Sequence, residues 1–545
     1  MAKKIFQKIA DILLRPFREH FLFFLVLCAL TVSGHSLGYF NGNGEMNLNA
    51  TIATAMHCIG ISYIATLIVG IAQPKIVRQI LQTAFILFAA FDFALNFYCS
   101  LYLHYLFDSD IARLILETDP NEAMEFFSAM VPTWMILAIA GVFLLLFFLW
   151  WLFKRSNLKL NLGKKASWLA LALVCICFCV NLKVWGVWKY GPIAPIYQLT
   201  QHDVPSDLKD YFSHPQLTID KTNEMPTNVV LIIGESFGRC HSSIYGYDKL
   251  TNPQLAELKD NSLLYAFDSI SSPAPSTALS LRDMLSTFNL SNENEEKMWY
   301  EYISLIEIMK DSGYNSYWFG NQPSANRHNG TSRVLAKACD RQWFLQIEGL
   351  DDVGDHLQDI VLVDSSYQYV NQLSKKNHNF FVYHMMGSHF NFSNRYPKEF
   401  AKFSVNDYST EPQSHREILS SYDNSILYND YIVRKIMDLF KDSEAIVIYL
   451  SDHGQVMYRN TKDPDFYAHG RKGDPVDYAL GVEVPFFVYA SPLFQQKHPD
   501  VMERIKNRQE HPKSWNSEDL PYFIMDLIGV KTINGEEVRP RSVLN

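Results

Sequence analysis

Five long apolar stretches, at approximately 21–40, 50–72, 79–101, 131–153 and 168–188, fill most of the first 190 residues. A bilayer's hydrocarbon core is crossed by about 20 apolar helical residues, so each stretch is long enough to span. The loops between them set the orientation. Lys3, Lys4, Lys8, Arg15 and Arg18 precede the first stretch, and Lys75 and Arg78 follow the second. Lys154, Arg155, Lys159, Lys164 and Lys165 separate the fourth from the fifth. The opposite loops, 41–49 and 102–130, hold Arg113 as their one basic residue. The positive-inside rule then puts the amino terminus in the cytoplasm and everything after about residue 190 outside. Trp134, Trp150, Trp151, Trp168, Trp185 and Trp188 stand near span ends, where interfacial anchors belong. Further spans follow the first stretch and no small-residue cleavage site stands out, which argues against a removed signal. Met1–His20 alternates basic and apolar residues, the pattern of an amphipathic helix lying on the inner leaflet.

Charge divides the chain at the same place. Residues 1–190 hold 15 Lys/Arg against 10 Asp/Glu, so a total of −9 leaves the remainder at −14. Outside the membrane part no basic cluster interleaves with aromatics, which argues against nucleic acid. Three regions follow: a membrane domain at 1–190, a polar linker with Pro192, Pro195, Pro205, Pro215 and Pro226 at 191–227, and a soluble domain at 228–545. Six of the eight cysteines lie in the apolar stretches. Only Cys240 and Cys339 remain outside, enough for one disulfide and no framework.

Beyond residue 228, β-branched runs alternate with helical patterns, as in α/β proteins. Candidate strands are 228–234, 263–269, 314–319, 379–386, 445–450 and 484–489; candidate helices include 277–287, 301–312, 416–441 and 517–528. The run at 229–233 is apolar throughout and reads as a strand buried on both faces of a mostly parallel sheet. It ends in Gly234-Glu235-Ser236. Two further buried runs end in Gly387-Ser388-His389 and Ser451-Asp452-His453-Gly454. Open α/β sheets bind ligands at the carboxyl ends of their strands. Three strands delivering carboxylate or imidazole to one end point to a metal.

Glu235, Asp452 and His453 supply oxygen and nitrogen ligands, a mixture suiting zinc or manganese better than magnesium. Thr277 is the fourth candidate. Pro273 and Pro275 keep the chain from turning helical before Ser276, so Thr277 stands at a helix amino terminus, where an anion is favoured. A hydroxyl held by a dication can act as a nucleophile, although capping is the commoner use of such a residue. His389 and His469 sit among glycine and small residues in long loops, placed for a second metal, a phosphate or a leaving group. His241, His328 and His384 read as structural.

Two features of the membrane part stand apart. Asp92 and Asn96 lie four apart in the third apolar stretch, on one helical face, marking either function or helix packing. The external loop IARLILETDPNEAMEFFSAM (111–130) reads as an amphipathic helix broken at Pro120. There Thr118 and Glu122 form either a solvated face or a cradle for a lipid headgroup.

Taken together, GES (234–236), STALS (276–280), MGSH (386–389), SDHG (451–454), AHG (468–470) and LETDPNEA (116–123) resemble the phosphoethanolamine transferases of Gram-negative envelopes. The resemblance implies an α-helical membrane domain of five transmembrane helices plus an α/β alkaline-phosphatase-like or sulfatase-like domain with a mostly parallel central sheet. It implies Zn2+ held by Glu235, Thr277, Asp452 and His453, with Thr277 as nucleophile and a phosphothreonine intermediate. His389 and His469 would meet substrate or a second zinc, Asn321 the phosphate, and Thr118 and Glu122 the ethanolamine phosphate. The implied donor is phosphatidylethanolamine. The implied acceptor is lipopolysaccharide (a core sugar or lipid A) or another envelope glycan. The implied setting is the bacterial inner membrane, with the catalytic domain periplasmic and a monomer expected. Better-known lipid A enzymes brace the nucleophile loop with a disulfide whose positions here are Pro273 and Asp283, so this chain resembles a cysteine-poor branch. Alternative readings are a glycerol-phosphate transferase of the lipoteichoic acid synthase type, a membrane-tethered sulfatase-like hydrolase and a non-catalytic scaffold.

Overall fold

The computed structural model describes residues 2–37, 48–103, 107, 111–112, 115, 131, 133–155, 161–184, 217–222, 225–287, 299–323, 331–346, 358–459, 463–471 and 474–545. They divide into two compact units, one holding the helices before residue 185 and the other most of the chain from 217 onward. The linker at 191–216 and the loop carrying Thr118 and Glu122 lie outside the described residues.

The first unit contains α1 (Ala2–Arg18), α2 (Phe21–Leu37), α3 (Leu48–Ile71), α4 (Lys75–Tyr98), α5 (Thr133–Arg155) and α6 (Lys164–Val184). Among the described residues, Thr51–Ile71 and Lys75–Leu101 are long and apolar enough to cross a membrane. The pair α1 and α2, bent by 63°, makes a third if counted as one span, and Thr133–Phe148 is a shorter apolar helix. The described residues therefore give an apolar helical region, and two or three spans where five were expected. Asp92 is buried and lies 3.1 Å from His35 Nε2, while Asn96 Nδ2 donates to its Oδ1 at 3.1 Å. The polar pair in the third stretch thus joins α4 to α2, as packing requires: a carboxylate in hydrocarbon needs its partners inside the protein.

The second unit is built on a seven-stranded sheet of β1 (Asn228–Gly234), β2 (Leu264–Phe267), β3 (Asn315–Pro323), β4 (Arg341–Gln346), β5 (Asn379–His384), β6 (Ala445–Ser451) and β7 (Phe486–Ala490). Their spatial order is β2-β7-β6-β1-β5-β3-β4. The sheet is mixed: β7 runs antiparallel to both neighbours, and the other pairings are parallel. β1, β5 and β6 are buried along their whole length, which explains their unbroken apolar runs. Strand β4, RQWFLQ, was not among the expected strands because its single alternating stretch at the sheet edge carries polar residues at both ends.

Register fixes the site's position. Gly234 pairs with Ser451, and Ile233 with both His384 and Leu450, so β1, β5 and β6 finish level. The residues that follow each strand emerge at one edge. A large core packs against one face, including Leu231, Trp318, Ile448, Phe486 and Phe523. The 28-residue helix Gln413–Phe440 turns a buried stripe of Tyr422, Ile426, Val433, Ile436 and Phe440 inward. Cys240 and Cys339 are both free.

Candidate metal centre and nucleophile

The strand ends converge as their pattern demands. Glu235, Asp452 and His453 are fully buried, and one ligand atom from each lies within 4.8 Å of the others. His453 Nε2 is 3.3 Å from Glu235 Oε1 and 3.5 Å from Asp452 Oδ2. Thr277 Oγ1 joins them, 3.3 Å from Glu235 Oε2 and 3.4 Å from His453 Nε2. The four expected ligands therefore form one cluster.

Each side chain is aimed by local structure. His453 Nδ1 sits 2.7 Å from the Gly454 carbonyl, which can only accept, so Nδ1 carries a proton and Nε2 faces the cluster. Ser236, at φ 54°, turns the chain back on itself. Its Oγ donates to Glu235 Oε1 at 2.8 Å and its N–H to Asp452 Oδ1 at 3.1 Å. The Tyr422 hydroxyl donates to the Ser236 carbonyl at 2.8 Å and accepts from Gly238 N–H at 2.9 Å, fixing that turn from behind.

Thr277 is the first residue of the helix Thr277–Met284, with Ser276 as its extended cap. The first turn leaves backbone N–H groups without intrahelical acceptors, a site suited to an anion. With no disulfide at Pro273 and Asp283, hydroxyls brace this loop instead. Ser272 Oγ and Ser280 Oγ both donate to the Ala274 carbonyl, at 3.0 and 2.7 Å, and Ser272 N–H reaches Val482 O at 2.8 Å.

Electrostatics describe a site short of positive charge. Among the described residues no Lys or Arg pairs with Glu235 or Asp452. Burial and the Glu235 charge push Asp452 up to about 7. Burial opposes the charge on Glu235 too, but the hydrogen bond and charge of His453 outweigh it and hold that carboxyl well below its ordinary value. Burial likewise disfavours charge on His453, yet Asp452 and Glu235 raise it to about 9. Asp452 Oδ2 is buried with no hydrogen-bond partner among the described residues. Two buried carboxylates, an imidazole nitrogen and a hydroxyl around an orphaned oxygen are the donor set of a divalent cation. The residues fit a metal.

His469 stacks edge-on against His453, ring centroids 4.3 Å apart, and burial with the neighbouring His453 charge pushes it down to about 3. His389 is buried and close enough for its charge to act on Glu235 and His469. Both loop histidines thus belong to the cluster's surroundings. Asn321 is buried, with Nδ2 donating to Asp359 Oδ1 at 2.9 Å. His384 is buried against Trp318 and pushed down to about 4 by burial, consistent with a structural role.

Two site residues escaped the sequence reading. Gln322 Nε2 donates to Glu235 Oε2 at 3.3 Å and to the Met385 carbonyl at 2.8 Å, tying that carboxylate to the end of β5. Asp359 receives the N–H groups of Met386 and Gly387, at 2.9 and 2.8 Å, and so shapes the turn before His389. The only signal for Gln322 was its adjacency to Asn321; for Asp359 there was none.

The chain is similar to known proteins in sequence and fold. Residues 227–530 match the sulfatase family, and residues 61–185 match phosphoethanolamine transferase EptA/EptB. Phosphoethanolamine transferase EptC of Escherichia coli (strain K12) is 29% identical over 318 residues, 57% of this chain and 52% of that protein. The chain thus spans about half the length of that curated relative. The C-terminal periplasmic domain of EcEptC from Escherichia coli, solved in complex with Zn, superposes with a TM-score of 0.54 at 25% identity, covering 61% of this chain and 90% of that one. The integral membrane protein lipooligosaccharide phosphoethanolamine transferase A (EptA) from Neisseria meningitidis has the same fold across 96% of this chain and 98% of its own, with a TM-score of 0.64 at 18% identity. With more than half its length matched to one family, the chain belongs to the sulfatase family, and its helical part matches phosphoethanolamine transferase EptA/EptB.

Proposed function

We propose that this chain transfers phosphoethanolamine from phosphatidylethanolamine to an acceptor of the bacterial envelope, lipopolysaccharide or another glycan, through a phosphothreonine at Thr277. The observation that carries this is one hydroxyl, at a helix amino terminus, within 3.5 Å of two metal-ligand candidates that end neighbouring strands. Glu235, Thr277, Asp452 and His453 would hold a divalent cation, and the zinc of the EptC complex supports zinc. When bound, the ion lowers the pKa of a coordinated hydroxyl and offsets charge gathering on a phosphoryl oxygen.

The chain's own groups do the rest. Thr277 Oγ1 attacks phosphorus; a Thr–O–P bond forms, the bond from phosphorus to the diacylglycerol oxygen breaks, and diacylglycerol leaves with a proton. In the second half-reaction an acceptor hydroxyl or phosphate oxygen attacks the same phosphorus, gives up its proton where it has one, and frees Thr277. The amide groups of the helix's first turn face the phosphoryl oxygens. His389 and His469 serve the phosphate or the proton passed to the leaving oxygen. A donor lipid cannot readily leave the bilayer, so the helical unit keeps the catalytic domain beside it. The setting we infer is the inner membrane, with residues after about 190 in the periplasm.

Mass spectrometry tests the reading. The parent protein with phosphatidylethanolamine gains phosphoethanolamine on the peptide containing Thr277, and the acceptor gains the same mass. Thr277→Ala loses both signals, with transfer down by roughly a thousandfold or more, while Thr277→Ser keeps a part. Full activity in Thr277→Ala, or glycerol phosphate as the transferred group, sinks the assignment.

A further inference from the structure

The geometry points to a second lipid site, unconnected with the reaction: we propose that α1 and the carboxyl end of α3 bind the headgroup of an anionic phospholipid. Lys4, Lys8, Asp11 and Arg15 recur at spacings of four, three and four, which places them on one stripe of α1. Opposite the stripe lies Ile71, the last residue of α3. Between them is an open cavity of about 370 Å³ lined by those four residues with Gln7, Ile12 and Ile71, where three cations face one carboxylate that also lies 3.6 Å from Arg18. Its size suits a phosphate with a short polar substituent, and its charge suits an anion.

Three observations say that the occupant is a lipid. Ile5, Phe6 and Ile9, on the same helix, are 51%, 69% and 51% exposed, an apolar face that the described residues leave uncovered. Further along the helix the same apolar side is buried: Leu14 and Phe17 pack with Tyr63, Leu171 and Val174, and Tyr63 Oη donates to the Leu13 carbonyl at 2.9 Å. The carboxyl half of the helix is thus held by α3 and α6, while the apolar side of its amino half is exposed. Finally, α1 turns 63° from α2, so where α2 crosses the bilayer α1 runs closer to its surface. A helix so placed, apolar on one side and basic on the next, is an interfacial helix. Arg15 Nη1 donates to the Gly70 carbonyl at 2.9 Å, covering a carbonyl whose negative end would otherwise face the anion. Phosphatidylglycerol has the required chemistry, a phosphate diester with net negative charge and no ammonium.

The test uses the full chain in nanodiscs of phosphatidylethanolamine with phosphatidylglycerol, counting retained lipid by native mass spectrometry. Lys4→Gln/Lys8→Gln is compared with Lys164→Gln/Lys165→Gln, which removes equal charge at the start of α6. The first pair should lose roughly tenfold in retained phosphatidylglycerol, given the attraction of each basic side chain near an anionic surface, and Lys4→Arg/Lys8→Arg should restore it. The second pair should retain the lipid as the parent does. Equal loss from both pairs reports a diffuse basic field and overturns the site, as does no loss from either. Phosphoethanolamine transfer by the same samples separates this outcome from the fate of the catalytic reading.

Discussion

Gly387 shows how little freedom the candidate metal site has. It sits at φ +49°, and a Cβ there would come within 2.9 Å of both the backbone nitrogen and the carbonyl oxygen of Glu235. Ser388 N–H closes the same contact from the other side, donating to Glu235 O at 2.9 Å. The turn before His389 therefore wraps the backbone of a candidate metal ligand. Gly387→Ala should cost about 3 kcal/mol, combining left-handed strain with overpacking, and should lower zinc content as Glu235 is displaced. Denaturant unfolding and metal analysis of the purified variant check both; unchanged zinc at reduced stability would separate the turn from the site. At this scale the residues that cluster were legible, because strand-end Glu, Asp and His stand out against apolar runs. Gln322 was not: an amide reaching back from β3 to Glu235 has no local pattern.

Among elements, the loop bearing His469 is held by a clamp rather than by its own structure. Arg471 is buried, lies 3.7 Å from the Phe466 ring centroid, and pairs with Asp463 at 2.9 Å and with the fully buried Asp477. Asp477 belongs to the helix Pro475–Val482, against which Gly470 packs so closely that a Cβ would lie 2.8 Å from Gly481 Cα. Removing one partner of a buried pair leaves an uncompensated charge, so Arg471→Ala should cost about 3–5 kcal/mol. Arg471→Met/Asp477→Leu should recover much of that stability by replacing the charges with apolar packing. If the clamp also positions His469, the double variant stays slow in transfer despite being stable; recovery of both would confine the clamp to folding. The sequence showed the long loop at 453–482 but neither the helix at its end nor the clamp, since Arg471 and Asp477 acquire meaning only as neighbours of Phe466 and Asp463.

For the whole molecule, stability should follow metal and pH in separate ways. With zinc as the proposed ion, chelation should lower unfolding free energy by about 3 kcal/mol when free ion had stood roughly a hundredfold above Kd. Glu235→Gln should abolish that response, as read by denaturant melts with and without chelator. At the far end of the sheet, Glu444 joins three elements: it accepts from Thr227 Oγ1 at 2.9 Å, Lys497 Nζ at 2.6 Å and His498 Nε2 at 2.7 Å. Burial opposes its charge, but these bonds outweigh it and hold its carboxyl below the ordinary value. A lowered folded pKa stabilises above the unfolded value of about 4.3 and loses that contribution as pH falls through the folded one. Lys497 is half exposed and screened by water, so Glu444→Gln should cost about 1 kcal/mol at neutral pH. The difference from the parent should vanish in acid below the ordinary carboxylate range; a constant difference across pH rules out an electrostatic origin.

What the amino-acid sequence determined alone was everything written as a period or a run. Apolar stretches marked the helices long enough to cross a bilayer, buried β-branched runs required a covered sheet, and prolines before Ser276 forced Thr277 to a helix start. Those signals are local because they arise from backbone geometry and from burial of adjacent residues. Tertiary structure decided which distant groups meet: the level finish of β1, β5 and β6 that gathers Glu235, Asp452 and His453, the reversal of β7, and the bend that turns α1 from α2. Contacts between residues hundreds of positions apart depend on register and packing, and no short stretch of sequence records either.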